Sequence, residues 1–287
     1  MSEGEHKVAD TQGKFLQVVE SGRQLSDVSW QQGRIILSNK RLILIDNDGK
    51  QALPLKNLQS FEGRYDVNQM IAEVSNYLSL QFGDDVFLLA PSDHAEFEWT
   101  LYQTLLNRTV VLARHPAVEG GVVQDTDWVK AQLKVEEGEL NVVLASGGLV
   151  QIDLDDIGSI EENRRTVMDD KRDILEVEHS EEGTSVETYL SGQARHVAIV
   201  KSLLAKGAHQ SEAGVELDAD EKQVLMALYS GVSPFEIPDF VGMDVEEVES
   251  IFERLIELDI LEEVRKRREV TLKARGRNIA SEAMNEQ

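Results

Sequence analysis

The chain reads as an α+β protein of three modules. The first is a small antiparallel β unit closed by a helix, the second repeats it, and the third is helical with one strand pair. Three observations predict this. A meander of short apolar strands at 33–62 recurs at 131–161. An apolar stripe at helical spacing follows each copy. Beyond Gly207 the pattern changes to short capped helices and a basic turn.

The first meander is GRIILSNKRLILIDNDGKQALPLKNLQSFE. Two apolar strands flank Asn39-Lys40, a turn containing Gly49 follows, and a third strand ends in Leu-Pro-Leu. The second is AQLKVEEGELNVVLASGGLVQIDLDDIGSIE. At an offset of 98, Trp30 matches Trp128, Ile35 Leu133, Leu37 Val135, Leu42 Leu140 and Leu44 Val142. One extra residue near Gly147-Gly148 moves the offset to 99 and sets Leu55 on Leu154 and Leu58 on Ile157. Leu80-Gln81-Phe82 is then set on Leu175-Glu176-Val177, and Leu105-Leu106 on Leu203-Leu204. Matches in this order across about a hundred residues indicate an internal duplication.

Each copy ends in a helix. In the first, Asp93 is the expected cap, with Glu96 completing a capping box. Phe97, Leu101 and Leu105 then share one face. In the second, Ser191 is the expected cap, Val197, Val200 and Leu204 form the stripe, and Gly207 is the expected end. Six or seven strands closed by a C-terminal helix is the plan of pleckstrin-homology-like and GRAM-like barrels, and LSNKRLILIDNDGKQALPLKNL resembles their hairpin. The expected domains are 8–107 and 108–207, two tandem barrels of that kind, then a linker at 208–217 and a third domain at 218–284. In the third, DADEKQVLMALYSG is a helix with Val224, Leu225 and Leu228 inward. SPFEIPDFVG is a short helix started by Ser233-Pro234. MDVEEVESIFERLIELD is capped by Asp244 and buries Val245, Val248, Phe252 and Leu255. A strand pair around a basic turn (ILEEVRKRREVTLK) and a closing helix (ARGRNIASEAM) complete a winged helix-turn-helix.

Composition narrows the function. Asp and Glu number 53 against 29 Lys and Arg, a net charge of −24. Self-repulsion of this size destabilises a compact state at low salt, and molar salt screens it. The balance fits a salt-rich cytoplasm, most simply that of a halophilic archaeon. The absence of cysteine rules out disulfides, thiol nucleophiles and thiolate metal sites. No apolar run approaches the roughly 20 residues that span a bilayer, and the acidic N-terminus is not a targeting peptide. A cytoplasmic protein is expected.

No catalytic, cofactor or metal site is expected. The six histidines are scattered. Ser92-Asp93-His94 holds the residue types of a hydrolase triad, but triads are spatial and sequence neighbours rarely converge on one atom. Asp153, Asp155 and Asp156 lack calcium-loop spacing. Gly147-Gly148 precedes neither a Gly-Lys phosphate loop nor a helix start. A headgroup site needs several basic side chains around one loop. The first copy offers Lys40 and Arg41, and the second has Glu137, Gly138 and Glu139 there. A conventional lipid site is expected in neither.

Two surfaces of the third module remain. Its third helix, the one that reads DNA in many winged helices, presents Glu246, Glu249, Glu253 and Glu257, which would repel phosphates. The wing carries Arg265, Lys266, Arg267 and Arg268, the one dense positive patch in an acidic sequence. The wing alone could touch a nucleic-acid backbone or dock an acidic protein surface; with the glutamate stripe beside it, a protein partner is expected.

Two such modules followed by a winged helix, in an acidic cysteine-free chain, resemble the archaeal taxis adaptor family CheF. The resemblance spans the whole chain and includes GVSPFEIPDFVGMDVEEVESIFERLIELDILEE. It implies a non-enzymatic adaptor between the chemotaxis system and the archaellum motor. The implied partners are the response regulator CheY, favoured when phosphorylated, the CheC and CheD proteins, and accessory proteins at the archaellum base, where the chain would be recruited. The rival reading is a winged-helix DNA-binding regulator whose duplicated barrels sense a ligand or dimerise. A membrane-surface module stands third.

Overall fold

The computed structural model describes residues 4–26, 28–62, 76–212, 217–258 and 260–261. It divides into a unit at 1–214 and a unit at 215–287. The first unit opens with β1 (Lys7–Glu20), a two-residue β2 (Arg23–Gln24), β3 (Gln31–Ser38), β4 (Arg41–Ile45) and β5 (Lys50–Pro54). A 3₁₀ turn at Leu55–Asn57 leads to β6 (Leu58–Glu62), β7 (Leu78–Phe82), β8 (Asp85–Pro91) and helix α1 (His94–Leu106). The order then repeats: β9 (Val110–Glu119), a short β10 (Val122–Val123), β11 (Val129–Glu136), β12 (Glu139–Leu144), β13 (Leu149–Asp153), β14 (Ile157–Val167), β15 (Asp170–Glu181), β16 (Thr184–Ser191) and α2 (Ala194–Glu212).

The two antiparallel sheets have the same topology. One runs β5-β4-β3-β1-β8-β7-β6 and the other β13-β12-β11-β9-β16-β15-β14, each with its short strand paired to the long first one. The alternation read in the meanders is the cause. Ile35, Leu37, Leu42 and Leu44 point inward in one sheet, and Leu133, Val135, Leu140 and Val142 in the other, all essentially buried. Period-2 patterning puts such residues on one face. Both sheets, with Phe97, Leu101 and Leu105 of α1 and Val197, Val200 and Leu204 of α2, share one continuous core. The matched tryptophans lie outside it in equivalent smaller clusters. Trp30 packs on Tyr77 at 6.2 Å between ring centres, and Trp128 on Tyr189 at 6.5 Å.

Pairing corrects one register. Leu78 faces Leu89, and Phe15 also faces Leu89. In the second sheet Leu175 faces Leu190, and Ala113 also faces Leu190. The equivalent of Leu80 is therefore Val177, and that of Phe82 is His179, two residues from the sequence match.

The helix ends also differ from expectation. Asp93 stands at the N-cap of α1 without a side-chain capping bond; its carboxylate instead accepts from the Thr11 hydroxyl at 3.3 Å. Ser191 belongs to β16, where its hydroxyl is buried and donates to the Asp173 carbonyl at 3.0 Å. The carbonyl of Gln193 takes the first helical amides, those of His196 and Val197. Gly207 lies inside α2, which continues to Glu212, into the segment read as linker. It permits close packing rather than ending the helix, because a Cβ there would stand 2.2 Å from the Leu154 carbonyl oxygen.

The second unit contains α3 (Ala219–Tyr229), α4 (Ile237–Val241) and α5 (Val245–Glu257) around Val224, Ala227, Ile237, Val248 and Leu255. Asp218 and Asp244 each form a complete capping box, with Glu221 and Glu247 respectively. Helix α4 begins three residues after the expected Ser233-Pro234. Those residues make a turn in which the Glu236 amide donates to the Ser233 carbonyl, and Pro238 sits in the first turn of the helix. The expected strand pair and closing helix lie outside the described residues.

Candidate interaction site

Helix α5 presents Glu246, Glu249, Glu253 and Glu257 to solvent, all exposed. The inward face is Val248 and Leu255, with Ile251 and Phe252 beside them. Val245 is 61% exposed, contrary to the sequence expectation. As the first helical residue it precedes the turn that reaches the core. Glu221 is buried and ion-paired with Arg254, so α3 and α5 are joined by charge as well as packing. Met226, Tyr229 and Phe240 of this unit face solvent, Tyr229 being 96% exposed. The basic residues Arg265, Lys266, Arg267 and Arg268 lie outside the described residues.

The residues weighed for catalysis do not converge. Asp93 is engaged by Thr11, while His94 turns toward Glu98 at 3.6 Å. Asp153 has a raised pKa, chiefly from burial and then from repulsion by Glu139, Asp155 and Asp156. Among the described residues no group of three or more His, Asp or Glu is arranged to hold a metal ion. No described helix is long and apolar enough to cross a membrane.

The corrected register exposes a cluster that the sequence did not reveal. Where the first sheet packs Phe82 edge-on to Phe87, the second has His179 and Thr188. His115 Nδ1 and His179 Nε2 each lie 2.8 Å from the Thr188 hydroxyl, and the rings stack at 6.1 Å. His115 Nε2 lies 3.1 Å from a Glu181 carboxylate oxygen. One proton arrangement satisfies these three bonds with both rings neutral: His115 donates to Glu181 and accepts from Thr188, whose oxygen accepts from His179. The longer 3.4 Å contact of His179 Nδ1 with the Ser180 carbonyl is a hydrogen bond only when His179 is protonated. Burial lowers both histidine pKa values, only partly opposed by Glu181 at His115 and by the Ser180 carbonyl at His179. The unfolded chain therefore takes up protons first. Stability is fully present above the ordinary imidazole pKa of about 6.5 and is lost as pH falls through the lower folded values. Replacing His115 and His179 by the residues at their equivalent positions, His115→Gln and His179→Phe, is expected to flatten the melting temperature between about pH 7.5 and 5.5. His94 and His196 are lowered by burial too, so the slope shrinks without vanishing. An unchanged slope would remove the cluster as its source.

Comparison with known proteins places the whole arrangement. The family described as archaeal chemotaxis signal transduction system protein F matches residues 7–210, and a domain of unknown function (DUF8579) matches residues 216–285. The doubled sheet unit is thus that of a signalling protein of archaeal taxis. The chain belongs to the CheF family, as the sequence resemblance implied. It is 54% identical over 290 residues to taxis protein CheF1 of Halobacterium salinarum, spanning all of both chains. It is 23% identical over 239 residues to CheF2 of the same organism, covering 80% of this chain and 83% of that one. Among solved structures, the Vps36 N-terminal PH domain aligns with 37% of this chain and 82% of its own, at 22% identity and a TM-score of 0.27. That likeness is too slight to bear on the fold.

Proposed function

We propose that this protein is a non-enzymatic adaptor that couples the phosphorylated response regulator CheY, with CheC and CheD proteins, to the archaellum motor by protein docking. The observation that carries the reading is full-length identity of 54% to a taxis protein CheF1. The sheets are read as tandem pleckstrin-homology-like barrels and α3–α5 as the core of a winged helix, a rigid frame with separate docking faces. The chain works in the cytoplasm and is recruited to the archaellum base. A partner can select the activated regulator without touching its phosphate, because phosphorylation shifts the receiver toward one conformation. The exposed glutamates of α5 oppose a phosphate backbone, which favours a protein partner over nucleic acid at the wing.

The test is a pull-down in molar KCl with this chain as bait and the receiver protein as prey, with and without beryllofluoride. Retention that strengthens on activation is expected. Charge reversal at Arg267 and Arg268 should leave the melting temperature unchanged and weaken capture of at least one partner. Equal retention in both states would overturn the dependence on phosphorylation. Unaltered capture of every partner would remove the wing from the site.

A further inference from the structure

The first unit holds a cleft whose charge is opposite to that of the protein. It has a volume of about 510 Å³. Its walls are the β3–β4 turn, the 3₁₀ turn, the C-terminal part of α1 and the start of α2. Of the nine described residues lining it, four are basic (Lys40, Arg41, Lys56 and Arg195) and none is acidic. In a chain with 53 acidic and 29 basic residues, the reverse would be expected.

The four cations are not equivalent. Arg41 is already committed: its fork donates twice to Glu5, at 2.8 Å each, and Glu5 also accepts from Ser38. Lys40 also has a partner within the protein, so the charge offered to a ligand is that of Lys56 and Arg195. Lys56 is exposed. Arg195 donates to the Lys56 carbonyl over a long 3.4 Å, which draws the two like-charged residues together. Its Nε is buried and finds no hydrogen-bond partner among the described residues. A buried donor left unmade is costly, and burial lowers the pKa of this guanidinium. Both strains are relieved by an anion.

The duplication supplies an internal comparison. An equivalent cleft of about 700 Å³ lies at the second sheet, between the β11–β12 turn, Asp155, the start of α1 and the later part of α2. There Asp155 stands where the first copy has Lys56, joined by Glu96 and Glu137, while Lys206 is engaged by Glu98 at 2.7 Å. The same scaffold accepts either charge, so the fold does not require the basic set.

We propose that the Lys56–Arg195 cleft docks an acidic segment of a partner protein, with a carboxylate on the Arg195 fork and a second on Lys56. A planar guanidinium matches a carboxylate in two parallel bonds. The volume exceeds what one small oxyanion fills and suits a few residues of chain. Pro54, Leu55 and Leu105 supply an apolar part of the lining. In concentrated salt long-range attraction is screened, and a partly buried guanidinium is the kind of cation whose short-range bond survives. The residues of the cleft are not those that the pull-down variants change, so failure of this proposal and failure of the proposed function are distinguishable.

The experiment measures fluorescence anisotropy on the full chain in dilute and in molar KCl. The probe is a short labelled end-capped peptide of aspartate, glutamate and leucine. Wild type is expected to bind it, Lys56→Glu with Arg195→Glu to weaken it by about tenfold or more, and Asp155→Lys to leave it unchanged. Thermal melts establish that both variants fold. Equal binding by wild type and the double variant would overturn the proposal, as would absence of binding. A preference for a phosphoserine peptide lacking carboxylates would assign the cleft to phosphate instead. Binding of phosphatidylglycerol vesicles that depends on Lys56, without peptide binding, would assign it to a lipid surface.

Discussion

Gly207→Ala is expected to destabilise the first unit by about 3 kcal/mol or more, the upper end of what overpacking costs. The added Cβ would stand 2.2 Å from the Leu154 carbonyl oxygen and 2.7 Å from its Cβ. The nearest obstacle is backbone, so no rotamer change relieves it. Either α2 moves away from the residue that follows β13, or the turn is displaced. The sign makes the test sharp. In an open helix the same change would stabilise by about 0.8–1 kcal/mol, because alanine is the better helix former. Denaturant unfolding of the pair therefore decides between a close-packed glycine and an indifferent one, and a stabilised variant would overturn the contact.

Leu42→Ala is expected to cost about 2–5 kcal/mol, the range for large-to-small changes in a core that relaxes only partly. Leu42 is fully buried in β4, between Leu37 of β3 and Leu53 of β5. It belongs to the core that both sheets share with α1 and α2, so loss of cooperativity should reach the second sheet as well. A wild-type melting temperature would contradict the inward placement of the strand.

Much of this architecture is legible in the residues, and its errors have identifiable causes. The strands around Asn39-Lys40 and their repeat are readable because alternation specifies a buried face. The match of Leu80 with Leu175 is wrong by two residues for the same reason. A shift of two returns every side chain to the same face, so alternation cannot distinguish Leu80–Leu175 from the correct Leu80–Val177. Only the hydrogen-bonded pairing with β16 decides: it sets Val177 opposite Thr188 and so brings the His179 ring, two residues on, within reach of the Thr188 hydroxyl. The caps failed differently. Asp93 and Ser191 are good capping types, but the Asp93 carboxylate accepts from the distant Thr11 hydroxyl, and Ser191 is held in β16, short of the helix start, with its hydroxyl donating to the Asp173 carbonyl. Asp244 met no such competitor and caps α5 as read, with Glu247 completing a capping box that the sequence reading did not name.

The sequence alone determined the duplication, the inward leucines of both meanders, the Asp244 cap of the second unit and the resemblance to the taxis family. These depend on local periodicity and residue type, which a chain carries before it folds. Tertiary structure alone decided three other features: the pairing that unites His115, Thr188 and His179, the close approach that requires Gly207, and the meeting of Lys56 with Arg195. Each joins residues from different elements, and Lys56 and Arg195 are 139 positions apart. A spacing of that size leaves no periodic trace, because it is set by how helices cross sheets rather than by any single element.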